Sequence, residues 1–289
     1  MKYLVLGSKG QLAKEFILNL SILNIPFEAF DIDELNISDY QKLNYYISII
    51  KPDIVLNCAS FNDTLASEEN PTNAIYTNTI APIYLSFLSN EYNFYLVHFS
   101  SDYVFSGDKT TPYLESDLPN PLNNYGITKL IGETEVLKIN PNNLVIRISW
   151  LYGEGKQNFI YKVINWSKNN QLIKIVDDEI STPTSTSTVV KVTNSSIKKK
   201  LNGIYHIVND GYCSRYEWAK KIIDIFNLNC KVEPIKSNDI KQNIKKPKYS
   251  VLSNEKIKKE LNIEIEYWEK ELEKFIKEKW DNKIPLFMI

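Results

Sequence analysis

Cysteine is scarce. Cys58, Cys213 and Cys230 are the three in 289 residues, widely spaced and odd in number. No Cys-x-x-Cys pair occurs, so nothing suggests a zinc site or a disulfide framework, and a reducing, cytoplasmic compartment is expected. Histidine is scarcer still. His98 and His206 each fall within an apolar strand pattern without a plausible nucleophile, so both are expected in the core and hydrolase chemistry has no support. Charge of one sign is lacking too. A formal net charge of −1 offers no basic field to nucleic acid or to an anionic membrane. Basic runs do occur, Lys198–Lys200 and Lys245-Lys246 with Lys248, and the first reads as a solvated helix end or loop. No apolar run approaches a membrane span, and Met1–Gly7 is too short in apolar length for a signal peptide. Neither a nucleic-acid nor a membrane partner is expected.

Apolar residues make up 43% of the chain, enough for a sizeable core in one large α/β domain, alone or with a smaller appendage. Short apolar runs alternate with helical patterns. Tyr3–Leu6, Phe27–Phe30, Asp53–Asn57, Phe94–Phe99 and Leu144–Ile148 read as strands. Between them Leu12–Leu23, Asp39–Ile50 (behind a Ser38 cap), Asn73–Leu88 and Tyr125–Leu137 read as helices. Strands alternating with helices at this spacing predict a Rossmann-like, doubly wound parallel sheet covered on both faces. The pattern loosens after Trp150. Leu172–Val176 and Gly203–Val208 look like strands, and Arg215–Phe226 and Tyr267–Trp280 like amphipathic helices. Ser181–Thr188 and Ser237–Lys246 read as loops. The expected division is a dinucleotide-binding domain over 1–150 and a mainly substrate-binding, smaller α/β region over 151–289. The boundary is soft, since some later segments return to the large sheet.

Gly7-Ser8-Lys9-Gly10-Gln11-Leu12-Ala13 follows the first strand and opens the first helix. Gly7 allows a tight turn, Gly10 allows close approach of backbone to a pyrophosphate, and the helix N-terminus offers free N–H groups. Ala13 is small where helix and strand must pack closely. Asp31 ends the second strand about 20 residues later, where a carboxylate accepts from a ribose hydroxyl and disfavours a 2′-phosphate. Use of NADH follows as an expectation, with NADPH not excluded.

Tyr125 and Lys129 stand four apart, on one helical face. A lysine there can hold cofactor ribose hydroxyls and lower the pKa of a nearby tyrosine, about 10 when unperturbed. A tyrosine so tuned can protonate a carbonyl oxygen as hydride arrives at carbon. Ser101 lies at the end of the fourth strand, where ligands of open α/β sheets bind, and its hydroxyl can donate to the same oxygen.

These segments, with Asn57-Cys-Ala-Ser60, Ser101-Asp-Tyr-Val-Phe105, Pro121–Lys129, Arg147–Gly153, Asn158-Phe159, Gly203–His206 and Lys246-Pro-Lys-Tyr-Ser250, resemble the extended short-chain dehydrogenase/reductase family. Within it the chain is similar to the dTDP-4-dehydrorhamnose reductase branch over nearly its whole length. The resemblance implies reduction of the C4 keto group of a nucleotide-linked 4-keto-6-deoxysugar by NADH or NADPH. It implies a catalytic set of Ser101, Tyr125 and Lys129. It implies cofactor contacts from Gly7, Lys9, Gly10, Gln11, Leu12, Asp31, Ala59, Ser60, Asn78, Tyr125 and Lys129. Substrate contacts are implied for Ser101, Asp102, Trp150, Asn158 and Lys246, with Trp150 offering a flat face to a sugar or base. A homodimer is compatible with it. Departures gather in the substrate half: Thr64-Leu65 replaces Val-Asp, Ser181 a glycine, Arg215 a tryptophan, and Lys246 an arginine. They leave the sugar and the base open, including GDP- or CDP-linked sugars and a non-catalytic relative.

Overall fold

The computed structural model describes residues 1–155, 157–240 and 244–280. In chain order the strands are β1 Tyr3–Leu6, β2 Phe27–Phe30, β3 Ile54–Asn57, β4 Tyr95–Ser101, β5 Leu144–Ile148, β6 Leu151–Tyr152, β7 Leu172–Val176, β8 Ile180–Ser181, β9 Thr184–Ser185, β10 Gly203–His206, β11 Cys213–Ser214 and β12 Lys231–Ile235. The helices are α1 Gln11–Ile22, α2 Tyr40–Ile50, α3 Thr64–Glu69, α4 Thr72–Ile75, α5 Ala81–Tyr92, α6 Asn124–Ile139, α7 Phe159–Asn169, α8 Thr186–Lys199, α9 Arg215–Ile225, α10 Glu255–Leu261 and α11 Trp268–Trp280.

Every residue of β1 and β3 is buried, as strands covered on both faces must be. They lie inside a six-stranded parallel sheet ordered β10-β5-β4-β3-β1-β2. The order reverses between β1 and β3, and at such a switch point the carboxyl ends of strands leave a crevice. One face of the sheet packs Phe16 and Leu20 of α1 and Val189, Val192 and Ile197 of α8. The other packs Leu43, Leu85, Leu88 and Val136 from α2, α5 and α6. A separate core around Trp218, Ile222, Trp268, Leu272 and Phe275 holds the smaller C-terminal α/β region, where β7 pairs with β12.

Several expectations shift. The cap of α2 is Asp39, not Ser38, because its carboxylate accepts from the Lys42 N–H while Ser38 turns back to Asn36. The strand expected over Phe94–Phe99 keeps its ladder through Ser101, opposite Ile148. Ser181–Thr188 is not a loop. It forms β8, β9 and the start of α8, capped by Ser185, whose Oγ accepts from the Thr188 N–H. Thr186, Thr193 and Ser196 are fully buried in α8, so its inner face mixes hydroxyls with Val189, Val192 and Ile197, and Ser196 returns its hydrogen bond to the Val192 carbonyl. Lys198 and Lys199 do close a helix, and Lys200 caps it in the left-handed region. The Ser237–Lys246 loop contains one short turn, Ser237–Asp239, and its residues 241–243 lie outside the described residues.

The helix expected over Asn73–Leu88 runs from α4 to α5 through a π-turn, Tyr76–Ile80. Pro82 has no N–H for the carbonyl four residues back, Asn78, and its ring would crowd that carbonyl. Widening the turn relieves both, and the Ala81 N–H bonds five back, to Tyr76. The Asn78 carbonyl faces α6 so closely that a Cβ on Gly132 would lie 2.1 Å from it. The bulge therefore sets both the Asn78 side chain and the seating of α6.

Candidate active site

At the carboxyl ends of β1, β3, β4 and β5 lies a cleft of about 340 Å³. Its floor begins with the turn after β1. Gly7 has φ +79°, and a Cβ there would lie 2.7 Å from the Ala59 Cα, so only glycine fits. Gly10 is the N-cap of α1 and supplies no side-chain cap. The first-turn N–H groups of α1 therefore face the cleft without a protein side chain to satisfy them, beside Gln11 and Leu12. A pyrophosphate fits such a cradle.

Beyond this turn the cofactor candidates divide. Cys58, Ala59 and Ser60 line the cleft after β3. Asp31 closes the turn from β2: one carboxylate oxygen accepts from the Lys9 N–H at 2.8 Å, the other from the Ile32 N–H at 2.9 Å. The Lys9 ammonium pairs with Asp33 at the surface. Asn78 is fully buried, and its side chain is committed within the protein. Its Oδ1 accepts from Ser60 Oγ at 3.0 Å and the Phe61 N–H at 2.9 Å. Its Nδ2 donates to the Phe61 carbonyl at 3.0 Å and Thr128 Oγ1 at 3.2 Å. Asn78 thus ties the loop after β3 to α6 and leaves no polar atom for a ligand.

Ser101, Tyr125 and Lys129 come together as the spacing predicts. The β4 ladder carries Ser101 to the sheet edge, and its Oγ accepts from the Tyr103 N–H at 3.2 Å. Asn123 caps α6 by accepting from the Gly126 N–H at 2.9 Å, which puts Tyr125 in the first turn and Lys129 in the next. α6 can approach the turn that follows β4 because residue 126 is glycine; a Cβ there would sit 2.3 Å from the Tyr103 carbonyl. All three side chains line the cleft. Their electrostatics differ from expectation in one respect. Tyr125 is not lowered by Lys129. Burial pushes its phenol up to about 12, with the Ser101 and Ser60 hydroxyls pulling partly the other way. Lys129 is itself pushed down to about 8 by burial, against the Glu133 carboxylate, and its Nζ donates to the Phe99 carbonyl at 2.6 Å.

The substrate candidates also divide. Asp102 edges the cleft but is 2% exposed. Its carboxylate accepts from Ser101 at 3.1 Å, Ser181 at 3.1 Å and Ser250 at 2.6 Å, and burial raises its pKa. Trp150 lines the cleft with φ +38°, a strained value for an aromatic residue. The face expected to meet a sugar has the Arg215 guanidinium 3.6 Å from the ring centre, and Trp218 stacks with the ring at 5.6 Å. Asn158 does not line the cleft. It caps α7, and its Nδ2 donates to Gln11 Oε1 and to the Gly153 and Gly155 carbonyls, because the turn around Gly153 needs those bonds. Lys246 lies elsewhere, in a neighbouring cavity of about 760 Å³ lined also by Lys245, Lys248, Ser106 and Glu179. Arg215, seen in the sequence only as a departure from the family pattern, lines the main cleft, as do Tyr103, Asn62 and Gln157, to which no role was given.

Both histidines are core residues. His98 meets Asn57 at 3.1 Å, and burial and Lys129 hold its pKa well below the ordinary value. His206 is pushed down to about 3 by burial and Arg147. Arg147 itself points inward, paired with Glu133 at 2.5 Å with both side chains almost fully buried.

A phosphate-cradling turn and a serine–tyrosine–lysine group on one crevice of a parallel sheet mark an NAD(P)H-dependent oxidoreductase. The chain belongs to the RmlD substrate binding domain family, whose model matches residues 1–280. It is 31% identical to the spore coat polysaccharide biosynthesis protein SpsK of Bacillus subtilis over 96% of this chain and 98% of that protein. Among solved structures, a dTDP-4-dehydrorhamnose reductase from Clostridium acetobutylicum superposes with a TM-score of 0.93 at 33% identity, over 96% of this chain and 99% of that one. The dTDP-4-dehydrorhamnose reductase of Bacillus anthracis, solved in complex with NADP, also gives 0.93, at 30% identity and the same coverage.

Proposed function

We propose that this protein reduces the C4 keto group of a nucleotide-linked 4-keto-6-deoxysugar, with dTDP-4-dehydrorhamnose, giving dTDP-rhamnose, the first substrate to try. The observation that carries this reading is the convergence of Ser101, Tyr125 and Lys129 on one cleft beside the Gly7–Gly10 turn. The solved relatives described above support it, since both are dTDP-4-dehydrorhamnose reductases.

NADH or NADPH, held by the Gly7–Leu12 turn and the α1 N-terminus, supplies the hydride when bound. Tyr125, held at about 12, keeps its proton at neutral pH and is therefore an acid ready to protonate the oxygen of a substrate carbonyl. Ser101 hydrogen-bonds the same oxygen. Lys129 keeps donor capacity beyond its bond to Phe99, which suits it to the ribose hydroxyls. Asp102 accepts the one proton of the Ser101 hydroxyl, which must turn from it to the substrate oxygen for that bond to form, and Asn158, through Gln11, braces the α1 N-terminus. Both act from behind the cleft.

The test follows NADH and NADPH oxidation with a panel of nucleotide 4-keto-6-deoxysugars. Tyr125→Phe removes the acid with little change of shape. Turnover should fall about 10²–10⁴-fold, the usual scale for general acid catalysis, with cofactor affinity nearly unchanged. Near-normal turnover in Tyr125→Phe would overturn the assignment.

A further inference from the structure

We propose that Arg215 binds the sugar-side phosphate of the nucleotide-sugar diphosphate, a role that rests on the substrate class proposed above. Arg215 opens α9 and lines the same cleft as Ser101 and Tyr125. Three aromatic rings fix its guanidinium: Trp150 at 3.6 Å, Phe159 at 5.0 Å and Trp218 at 5.4 Å. Cation–π contact of this kind orients a planar fork but does not neutralise it. Among the described residues no carboxylate comes within ion-pair distance of it. Glu179 and Asp102 act on it only from farther away. A cation held in a cleft without a counter-anion is costly, and a phosphate accepting two parallel N–H bonds would complete the site.

The order of groups says which phosphate. Tyr125 and Tyr103, with ring centres 5.5 Å apart, line the cleft together with Arg215. The Arg215 backbone N–H donates to the Glu179 carbonyl at 3.2 Å, and the Glu179 carboxylate lies 3.8 Å from Lys246 in the neighbouring cavity. That cavity is lined also by Lys245 and Lys248, with Asp108 a second carboxylate on it. A sugar with its C4 at Tyr125 has its anomeric oxygen on the opposite side of the ring. The first phosphate then falls at Arg215, and the second phosphate and nucleoside lead toward Lys246.

The test uses the wild type, Arg215→Met, which keeps length and stacking, and Arg215→Lys. Calorimetric binding is measured for dTDP, UDP, GDP and CDP, for the corresponding monophosphates, and for NADH and NADPH. The diphosphate that binds the wild type best should bind Arg215→Met about 10- to 100-fold more weakly, the scale of a lost charged hydrogen bond. The monophosphate should weaken less than threefold, since it lacks the phosphate that Arg215 holds. Cofactor affinity should be unchanged, which also reports an intact fold, and Arg215→Lys should recover part of the loss. Where a 4-keto sugar turns over, the variant's defect should lie in KM. Equal weakening of mono- and diphosphate, unchanged diphosphate affinity, or no diphosphate binding by the wild type would overturn the proposal. Arg215-dependent diphosphate binding without turnover of any 4-keto sugar would uphold it while refuting the reaction proposed above.

Discussion

Lys129→Met should make the protein more stable and inactive. The lysine side chain is 1% exposed, and burial takes its pKa from 10.5 to about 8. At about 1.4 kcal/mol per pKa unit, the folded state disfavours the ammonium by about 3 kcal/mol relative to water. At pH 7 the group is still charged, so the native state carries that penalty. Methionine has similar length and no charge, but it leaves the Phe99 carbonyl without its donor, a loss of about 1–2 kcal/mol. The net expectation is a gain of about 1–2 kcal/mol, or about 2–6 °C in Tm. The sign with pH follows from proton binding. Between about 8 and 10.5 the unfolded chain keeps the lysine proton while the folded chain has lost it, so wild-type stability contributed by Lys129 rises with pH across that window. Lys129→Met removes this rise. Urea unfolding followed by circular dichroism at pH 7 and pH 9.5 reads both effects. A variant less stable than wild type at pH 7, or one with the wild-type pH slope, would refute the reasoning. Reductase activity should be lost in either case, since an active site tolerates a strained group for function.

Glu133→Gln should leave the nearly buried Arg147 without its counter-charge and destabilise the fold by about 3–5 kcal/mol; Glu133→Leu with Arg147→Met should restore much of this in thermal unfolding. The same Glu133→Gln change removes the group that raises the Lys129 pKa, so the alkaline limb of the pH–rate profile should move to lower pH. Asp31→Ser removes the carboxylate beside the Lys9 N–H, and the ratio of NADPH to NADH affinity, read by fluorescence titration, should rise at least about tenfold if that carboxylate faces the ribose.

Much of the sheet was legible because its strands are short apolar runs punctuated by turns, and the Tyr125–Lys129 pair because helical spacing alone puts both on one face. α8 was not legible, because buried hydroxyls of Thr186, Thr193 and Ser196 interrupt the apolar period of Val189, Val192 and Ile197 that would mark a helix. The inward commitment of Asn78, Asp102 and Asn158 was hidden for a related reason. A polar side chain looks the same in sequence whether it meets a ligand or satisfies backbone across the fold. Arg215 and Lys246 were visible as departures from a pattern. Their placement beside Glu179 depends on contacts between segments far apart in the chain.

The outer strand of the sheet has a consequence for synthesis. β10 pairs in parallel with β5, and α8 covers α1, yet both follow roughly 40–50 residues after β5. At about 5–20 residues per second on a ribosome, β5 emerges several seconds before the strand that must lie against it. During that interval the nascent chain holds an unpaired strand edge and a bare apolar face on α1, both of which invite association with other chains. The order of assembly is therefore dictated by the last third of the chain. A truncation after residue 150 would keep the complete phosphate-cradling turn and the tyrosine–lysine pair, but on a sheet with an open side.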